Sequence, residues 1–248
     1  MAVTGGTDPT AAGRMPGAAA VERHPHLAAP KPPGWVRVDL HSHTMWSGDS
    51  TTTPEELVEA VEASALDVLC VTDHNAIKGA QELAALLPCR VVIGEELRTH
   101  AGEIIGLFLT EHVPFGVQPP EAAHLIRQQG GLVYVPHPFD PMRRNLAEPA
   151  LVALTGAGLV DALEVFNAKT TLSHLNARAA AFARDHDLAA GAGSDAHVPE
   201  ALGAAYVEMP DFDGPADFLA KLRLGRVVGH HADPHRAWRS RIVPSTSG

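Results

Sequence analysis

The amino-acid sequence predicts an α/β fold in which strand–helix units surround a parallel sheet or barrel. From Trp35 onward, short segments rich in β-branched residues alternate with segments of helical periodicity. The chain has 248 residues, of which 45% are hydrophobic, and this is enough to bury one large core. Unusual polar residues recur at one end of the strand-like segments. Because no internal repeat or linker divides residues 35–248, we expect them to form one domain.

Seven strands and five helices are predicted along this part of the chain. The strand-like segments are 35–41, 66–72, 90–94, 103–109, 131–137, 162–167 and 188–195, of which the last is the least strand-like. The clearest helix start has Thr53 as N-cap, Pro54 in the first turn and Glu56 three residues after the cap. The other predicted helices are 77–87, 119–129, 173–187 and 215–224.

The N-terminal residues 1–34 have a different composition, rich in Gly, Ala, Pro and Thr. Such a segment buries too little apolar area to offset its ordering entropy, so we expect a mobile arm. No apolar run approaches the roughly 20 residues of a membrane span, and no signal-peptide pattern opens the chain. The two cysteines, Cys70 and Cys89, form no disulfide framework. We therefore predict a cytoplasmic protein without membrane association.

The charge balance narrows the expected partners. The chain carries 19 Lys and Arg against 29 Asp and Glu, and its formal net charge is −10. A negative chain repels long polyanions unless metals or a local basic patch reverse the field. Long nucleic acid is therefore not an expected partner, and the sequence leaves the oligomeric state open.

The chain has fifteen histidines, and ten of them have an ordinary context in tails, loops, helices or edge segments. We interpret these ten as incidental: His24, His26, His100, His112, His124, His174, His186, His230, His231 and His235. The remaining five are His41, His43, His74, His137 and His197, and each follows or ends a predicted strand. They carry the functional argument.

Polar residues at the ends of separate strands meet at one face of a closed parallel barrel. His41 and His43 share one face of the first strand because side chains two residues apart point the same way. The other strand ends supply Asp73-His74, Glu95-Glu96, His137, Asn167, and Asp195 with His197. Imidazoles and carboxylates packed this closely require cations among them. The number of donors implies two or three ions, and their chemistry suits Zn²⁺, Mn²⁺ or Fe.

Five motifs, in order over residues 39–197, resemble the PHP (polymerase and histidinol phosphatase) superfamily of metal-dependent phosphoesterases. They are "DLHSHTMWSGDS", "VTDHN", "GEEL", "VPHPFD" and "GSDAH". The resemblance implies a distorted (β/α)7, TIM-barrel-like fold over residues 35–248 with a dinuclear or trinuclear metal centre. The metal ligands it implies are His41, His43, Asp49, His74, Glu96, His137, Asp195 and His197. Among these, it implies catalytic roles for His41, His43, Glu96, Asp195 and His197.

The resemblance also suggests a grouping of the ligands. One ion would take His41, His43, Glu96 and Asp195, a second Glu96 and His137, and a third Asp49, His74 and His197. The sequence departs from the pattern of many relatives at Glu103, where they carry a histidine. As an oxygen ligand, Glu103 would favour a harder ion such as Mn²⁺, whereas the alternative is a solvent-facing hairpin glutamate.

Other polar residues near this face are candidates for binding the substrate or for orienting the histidines. Arg143 and Arg144 are candidate phosphate clamps because a guanidinium fits phosphate bidentately, and Lys169 is a third candidate substrate contact. The alternative for these residues is plain surface charge. Asp39 and Asp73 are either partners that orient the histidines or backbone acceptors. Glu95 faces away from Glu96 on an extended segment, so we expect it to be structural.

These features predict hydrolysis of a phosphate ester of a small metabolite or nucleotide by a hydroxide that bridges two metal ions. No GxSxG motif or reactive cysteine points to a protein nucleophile. The same chemistry allows an exonuclease or phosphodiesterase for short oligonucleotides. A metal-stabilised binding module without activity is a third possibility. The sequence does not decide between these substrates or between the three metals.

Overall fold

Nine strands and seven helices alternate in the computed structural model, which describes residues 15–234. The strands are β1 Trp35–Ser42, β2 Val68–Val71, β3 Arg90–Thr99, β4 Gly102–Leu107, β5 Leu132–Val135, β6 Ala162–Asn167, β7 Ala189–Gly193, β8 Ala205–Pro210 and β9 Arg226–Gly229. The helices are α1 Ala18–Arg23, α2 Pro54–Ser64, α3 Lys78–Leu83, α4 Pro119–Gln128, α5 Glu148–Gly156, α6 Ser173–Asp185 and α7 Gly214–Leu222.

The strands form one sheet in the order β7-β6-β5-β4-β3-β2-β1-β8-β9. Strands β1 to β3 are parallel, as are β5 to β7, whereas β4 is antiparallel to both of its neighbours. The upper end of β1 also meets the segment after β7, where the Asp195 N–H donates to the His41 carbonyl at 2.8 Å. The sheet is thereby nearly closed, and the predicted distorted barrel is confirmed.

The lower half of β1 pairs with an additional strand that the sequence analysis did not predict. Strand β8 runs antiparallel to β1 with Val36 opposite Met209, and β9 is antiparallel to β8. Helix α5 was also missed. Helix α1 lies in the segment that was expected to be a mobile arm, so the sequence prediction was short by two strands and two helices within the described residues, although all seven predicted strands are present.

Helix α2 begins where its N-terminal capping motif predicts. The Thr53 hydroxyl accepts from the Glu56 N–H at 3.1 Å, and the Glu56 carboxylate accepts from the Thr53 N–H at 3.0 Å. Leu57 and Val61 face inward and are buried. The capping box thus fixes the start of the helix, and its apolar stripe packs it on the barrel.

The structure corrects the expectation of a mobile arm for residues 15–34, whereas residues 1–14 lie outside the described residues. Helix α1 and the 3-10 turn Pro25–Ala28 pack on the barrel, with Ala20 and Leu27 buried. His24 is also buried, and its ring contacts the Glu200 carbonyl and the His230 ring at 2.9 and 2.7 Å. The amino-acid composition did not predict this ordered segment, because a few buried apolar side chains are enough to hold it against the barrel.

Within residues 15–234, no helix is long and apolar enough to cross a membrane.

Candidate metal centre

Two histidines from β1 reach the centre of a buried polar cluster at the upper face of the barrel. His41 and His43 are both buried, and their Nε2 atoms lie 3.0 Å apart. A Glu96 oxygen lies 3.4 Å from His41 Nε2 and 3.2 Å from His43 Nε2. Asp195 Oδ1 lies 3.8 and 3.5 Å from the same two nitrogens. The alternation of β1 therefore converges both imidazoles on two carboxylates.

A second group lies at the outer side of the cluster. Asp49 Oδ2 lies 3.2 Å from His197 Nε2 and 3.4 Å from His74 Nε2. His43 joins these residues, and its ring centre is 4.3 Å from that of His197. The grouping of Asp49, His74 and His197 expected from the sequence is thus assembled in space, with His43 close enough to be shared.

Glu103 lies in the cluster because β4 is antiparallel. Strand β4 begins beside the end of β3, where Glu103 lies opposite Arg98, and Glu103 therefore faces the same site as Glu96. Only 4% of Glu103 is exposed, and its oxygens lie 3.8 Å from His74 Nδ1 and 4.0 Å from His137 Nε2. The alternative of a solvent-facing glutamate is therefore wrong.

His137 lies between the carboxylates of Glu96 and Glu103. Its Nε2 lies 3.0 Å from Glu96 Oε1. One ligand atom from each of His41, His137 and Asp195 also fits within 4.8 Å of the others. The structure therefore brings all nine residues predicted as metal ligands into one cluster, although His137 lies near Asp195 as well as Glu96.

The donor set of this cluster fits divalent cations. Four overlapping groups of three or four ligand atoms lie within 4.8 Å of each other, and every atom is an imidazole nitrogen or a carboxylate oxygen. The Nε2 atoms of His41 and His43 lie 3.0 Å apart, and both are within 3.4 Å of the same Glu96 oxygen, so one cation could bind all three atoms. The buried Nδ1 of His137 has no hydrogen-bond partner among the described residues. Nitrogen and oxygen donors without thiolate suit Zn²⁺, Mn²⁺ or Fe.

The electrostatics of the cluster favour the deprotonated forms of Asp195 and Asp49, whereas burial and the neighbouring Glu96 raise the pKa of Glu103. Burial opposes ionisation of Asp195, but Lys169, His41 and Arg143 hold its pKa well below its ordinary value. Burial likewise opposes ionisation of Asp49, whose pKa is nevertheless lowered by hydrogen bonds from His197 and His74. Burial also lowers the pKa of His43 well below its ordinary value, with the positive charge of His197 adding to the effect. Asp195, Asp49 and His43 are therefore in the protonation states that metal ligands need.

A cavity of about 160 Å³ opens above these residues, and two of the three predicted substrate contacts line it. Arg143 lies 3.2 Å from Asp195 Oδ2, and Arg144 lines the cavity from an exposed position. Lys169 differs, because it is buried behind the ligands with its Nζ 3.4 Å from Asp195 Oδ1 and 3.1 Å from His197 Nδ1. Arg98 also lines the cavity and was not predicted.

The three carboxylates that were predicted to have supporting roles have different hydrogen-bond partners. Asp73 accepts from the Ser47 hydroxyl at 2.7 Å, and the same hydroxyl oxygen lies 2.8 Å from His43 Nδ1, so Asp73 orients His43 through Ser47. Asp39 accepts from the backbone N–H groups of His41 and Ser194. Glu95 accepts from a backbone N–H outside the cluster, as its structural interpretation requires.

One buried carboxylate of the site was missed altogether. Glu164 lies in the middle of β6, is fully buried, and has one oxygen 3.1 Å from His41 Nδ1. The sequence offered one signal for it, since a glutamate interrupts the apolar strand "ALEVFN". A charge at an inward position of a strand is costly unless it is paired.

Sequence comparisons agree with these observations. Residues 39–133 match the profile of the PHP domain, and residues 173–227 match that of the PHP-associated family. The uncharacterized protein MJ0417 of Methanocaldococcus jannaschii is 36% identical over 198 residues, which are 76% of this chain and 80% of that protein. An error-prone DNA polymerase of Mycobacterium bovis is 41% identical over 88 residues, which are 31% of this chain but 8% of the polymerase.

Solved structures share the fold at low sequence identity. A two-domain protein of Bacteroides vulgatus that contains a predicted PHP-like metal-dependent phosphoesterase superposes with a TM-score of 0.62 at 19% identity, over 82% of this chain and 67% of that one. PsfC of Pseudomonas syringae superposes with a TM-score of 0.61 at 20% identity, over 79% of this chain and 92% of that one. Both comparisons support the same barrel.

Proposed function

This chain belongs to the PHP family, and on that premise we propose that it hydrolyses a phosphate ester of a small metabolite or nucleotide. The observation that carries the proposal is the meeting of a nine-residue imidazole and carboxylate cluster with an arginine-lined cavity. The cluster has the nitrogen and oxygen donors that bind metal ions, and the positively charged arginines of the cavity can bind a phosphate. Neither feature requires a protein nucleophile.

We assign two or three divalent ions to the cluster, of manganese, iron or zinc. The ligands would be His41, His43, Asp49, His74, Glu96, Glu103, His137, Asp195 and His197. When bound, such ions supply Lewis acidity and a nucleophilic water at neutral pH. Glu103 adds an oxygen donor where many relatives have an imidazole, and this change favours Mn²⁺ at the site that it shares with His74 and Glu96.

The protein's own residues orient the substrate. The Arg143 guanidinium lies on the cavity wall beside Asp195, and the Asp195 and Asp140 charges raise the pKa of Arg143 although burial opposes this. Arg143 is therefore charged whenever a phosphate enters, and Arg144 and Arg98 lie on the same wall. Lys169 holds Asp195 from behind, so its effect on the substrate passes through that carboxylate.

The size of the cavity favours small substrates over oligonucleotides. A volume of about 160 Å³ admits a phosphate and part of its leaving group, but no track of successive nucleotides. The net charge of −10 also disfavours an extended polyanion. Short oligonucleotides remain the second candidate, because the matched polymerase segment belongs to a protein whose substrate is nucleic acid. The inactive binding module is the third.

A substrate screen tests the proposal. Protein stripped with a chelator is reloaded with Mn²⁺, Fe²⁺ or Zn²⁺ and assayed on phosphorylated metabolites, nucleotides and oligonucleotides of increasing length. We expect two or three ions per chain, phosphate release from small esters, and a KM that depends weakly on ionic strength. Asp195→Asn is the inactive control.

Two results would count against the proposal. No phosphate release by protein that holds its ions would favour the binding module. A KM that improves with oligonucleotide length and worsens steeply with salt would favour the nuclease, because each neutralised phosphate of a single strand contributes a logarithmic salt slope of about −0.7.

A further inference from the structure

The carboxylate of Glu164 connects two residues of the cluster that come from different strands. One oxygen lies 3.1 Å from His41 Nδ1 at the end of β1. The other accepts from the backbone N–H of His137, after β5, at 2.6 Å, and from Asn167 Nδ2 at 3.0 Å. The His137 N–H and Asn167 Nδ2 are donors, and His41 Nδ1 donates when it carries the ring proton, so these three contacts can satisfy the fully buried carboxylate.

We propose that Glu164 is the positioning residue of the metal centre, which fixes the tautomer of His41 and the backbone of His137. This inference rests on the proposed function. It concerns a residue that neither the motifs nor the ligand set contains. Glu164 touches no position where substrate or metal would lie, and it acts through the two histidines.

The effect on His41 follows from the chemistry of imidazole. A neutral ring carries one proton, and a carboxylate at Nδ1 holds the proton there. The lone pair is then on Nε2, the atom that faces Glu96 and His43. A carboxylate behind a ligating histidine fixes its ring orientation and raises its basicity, and its loss typically costs 10- to 100-fold in metal affinity.

The effect on His137 is on its main chain. His137 has a φ of 28°, which a residue with a Cβ rarely adopts. Its N–H points at Glu164, and the hydrogen bond to a charged oxygen stabilises the unusual conformation. Glu164 thereby sets the direction from which His137 enters the cluster.

The neighbouring strand is shaped to accommodate this carboxylate. Glu164 pairs with Gly191 on β7, and a Cβ at Gly193 would lie 2.8 Å from Glu164 Oε1. A Cβ at Gly191 would lie 2.6 Å from the ring of Tyr134, which fills the barrel below. The glycines that made "AAGAGS" look unlike a strand therefore make room for the Glu164 carboxylate and for the Tyr134 ring.

The decisive variant is Glu164→Gln, which keeps the shape and removes the charge. A glutamine presents one oxygen and one NH₂ group to three donors. If its NH₂ faces His41, the ring proton moves to Nε2, where the metal should bind. If its NH₂ faces the other way, two donors oppose it at His137 and Asn167. Either orientation disturbs one ligand.

Glu208→Gln is the matched control. Glu208 is a buried glutamate of β8 that pairs with Arg37 and Arg226 outside the cluster. Its substitution removes a buried charge without touching a predicted ligand. A loss that is caused only by general destabilisation would appear in both variants.

The experiment measures Zn²⁺ affinity of stripped protein by competition with a chromophoric chelator, and circular dichroism checks the fold. We expect Glu164→Gln to bind at least one ion 10- to 100-fold more weakly than the unmodified protein. Glu208→Gln should stay within about threefold, because its pairing lies outside the cluster. Equal affinity in folded Glu164→Gln would overturn the inference, whereas failure of the unmodified protein to bind any of Zn²⁺, Mn²⁺ and Fe²⁺ would overturn the proposed function instead.

A measurement on the unmodified protein covers the case in which Glu164→Gln does not fold. In Zn²⁺-loaded protein with ¹⁵N-labelled histidine, His41 should be protonated at Nδ1 and metal-bound at Nε2. The His41 signal is assigned by its loss in His41→Asn. Metal binding through Nδ1 of His41 would refute the role of Glu164.

Discussion

Gly193→Ala tests whether the sheet itself places His41. A Cβ at residue 193 would lie 2.3 Å from the Cβ of His41 and 2.9 Å from its backbone nitrogen. Carbon atoms in contact normally lie about 3.5–4.0 Å apart, so the overlap exceeds about 1 Å. His41 has no room to retreat, because its carbonyl accepts from Asp195 N–H and its ring contacts Glu164. One of the two strands must therefore move.

The overlap indicates how much stability Gly193→Ala should lose. Adding a methyl group to a packed interior costs about 1–3 kcal/mol, and an overlap with backbone atoms belongs at the upper end of that range. For a chain of this size, each kcal/mol lowers Tm by about 2–4 °C, so we expect a decrease of about 5–10 °C. The displaced His41 should also weaken metal binding.

Urea denaturation and thermal unfolding of chelator-stripped protein measure the loss without any contribution from bound metal. Gly156→Ala is the control, since Gly156 ends helix α5 and, apart from its chain neighbours and the backbone of its own helix, no described atom lies within 4 Å of the position that an alanine Cβ would take there. Alanine is a better helix former, so this variant should be unchanged or up to about 1 kcal/mol more stable. A Gly193→Ala protein within about 0.5 kcal/mol of the unmodified chain would refute the tight β1–β7 contact.

Two further predictions concern stability away from the cluster. Thr53→Ala removes the capping hydrogen bond to Glu56 N–H and should lower the free energy of unfolding in urea by about 1 kcal/mol, whereas no change would show that the capping box is dispensable. Burial lowers the pKa of His24 from 6.5 to about 4. Because the unfolded chain takes up this proton near pH 6.5, stability should fall as the pH decreases from about 6.5 to 4. Between pH 7 and 4.5 the unmodified protein should therefore lose about 2 kcal/mol more than His24→Asn in urea titrations, and equal losses would contradict the assignment.

The sequence was sufficient to predict most of the cluster, because most of the predicted metal ligands lie at or just after strand ends, which gather at one face of a barrel, and because the motifs resemble those of the PHP family. It was insufficient for β8, since Glu208 interrupts its apolar pattern. That glutamate is satisfied by Arg37 from β1 and Arg226 from β9, partners that are 171 and 18 residues away in sequence. Long-range pairing of a buried charge leaves no local pattern, so the strand was not recognised.

Glu103 and Glu164 show two other limits of the sequence. The direction of β4 decides whether Glu103 faces the cluster or the opposite end of the barrel, and strand direction depends on pairing with β3 and β5. For Glu164 the direction of the strand is not enough, because its hydrogen-bond partners are known only once β1, β5 and β6 are assembled. In both cases the residue type was visible, and the tertiary contact that gives it a role was not.

The backbone of the cluster is held by hydrogen bonds of the sheet before any metal binds. Asp195 and His137 have φ values of 50° and 28°, conformations that cost a residue with a Cβ on the order of 1 kcal/mol each. Each N–H nevertheless has a buried acceptor, the His41 carbonyl for Asp195 and the Glu164 carboxylate for His137. Those acceptors belong to β1 and β6, which are fixed by their own pairing and packing. The barrel therefore sets the directions of the Asp195 and His137 side chains, and a cation that bound in the cluster would meet donors that are already oriented.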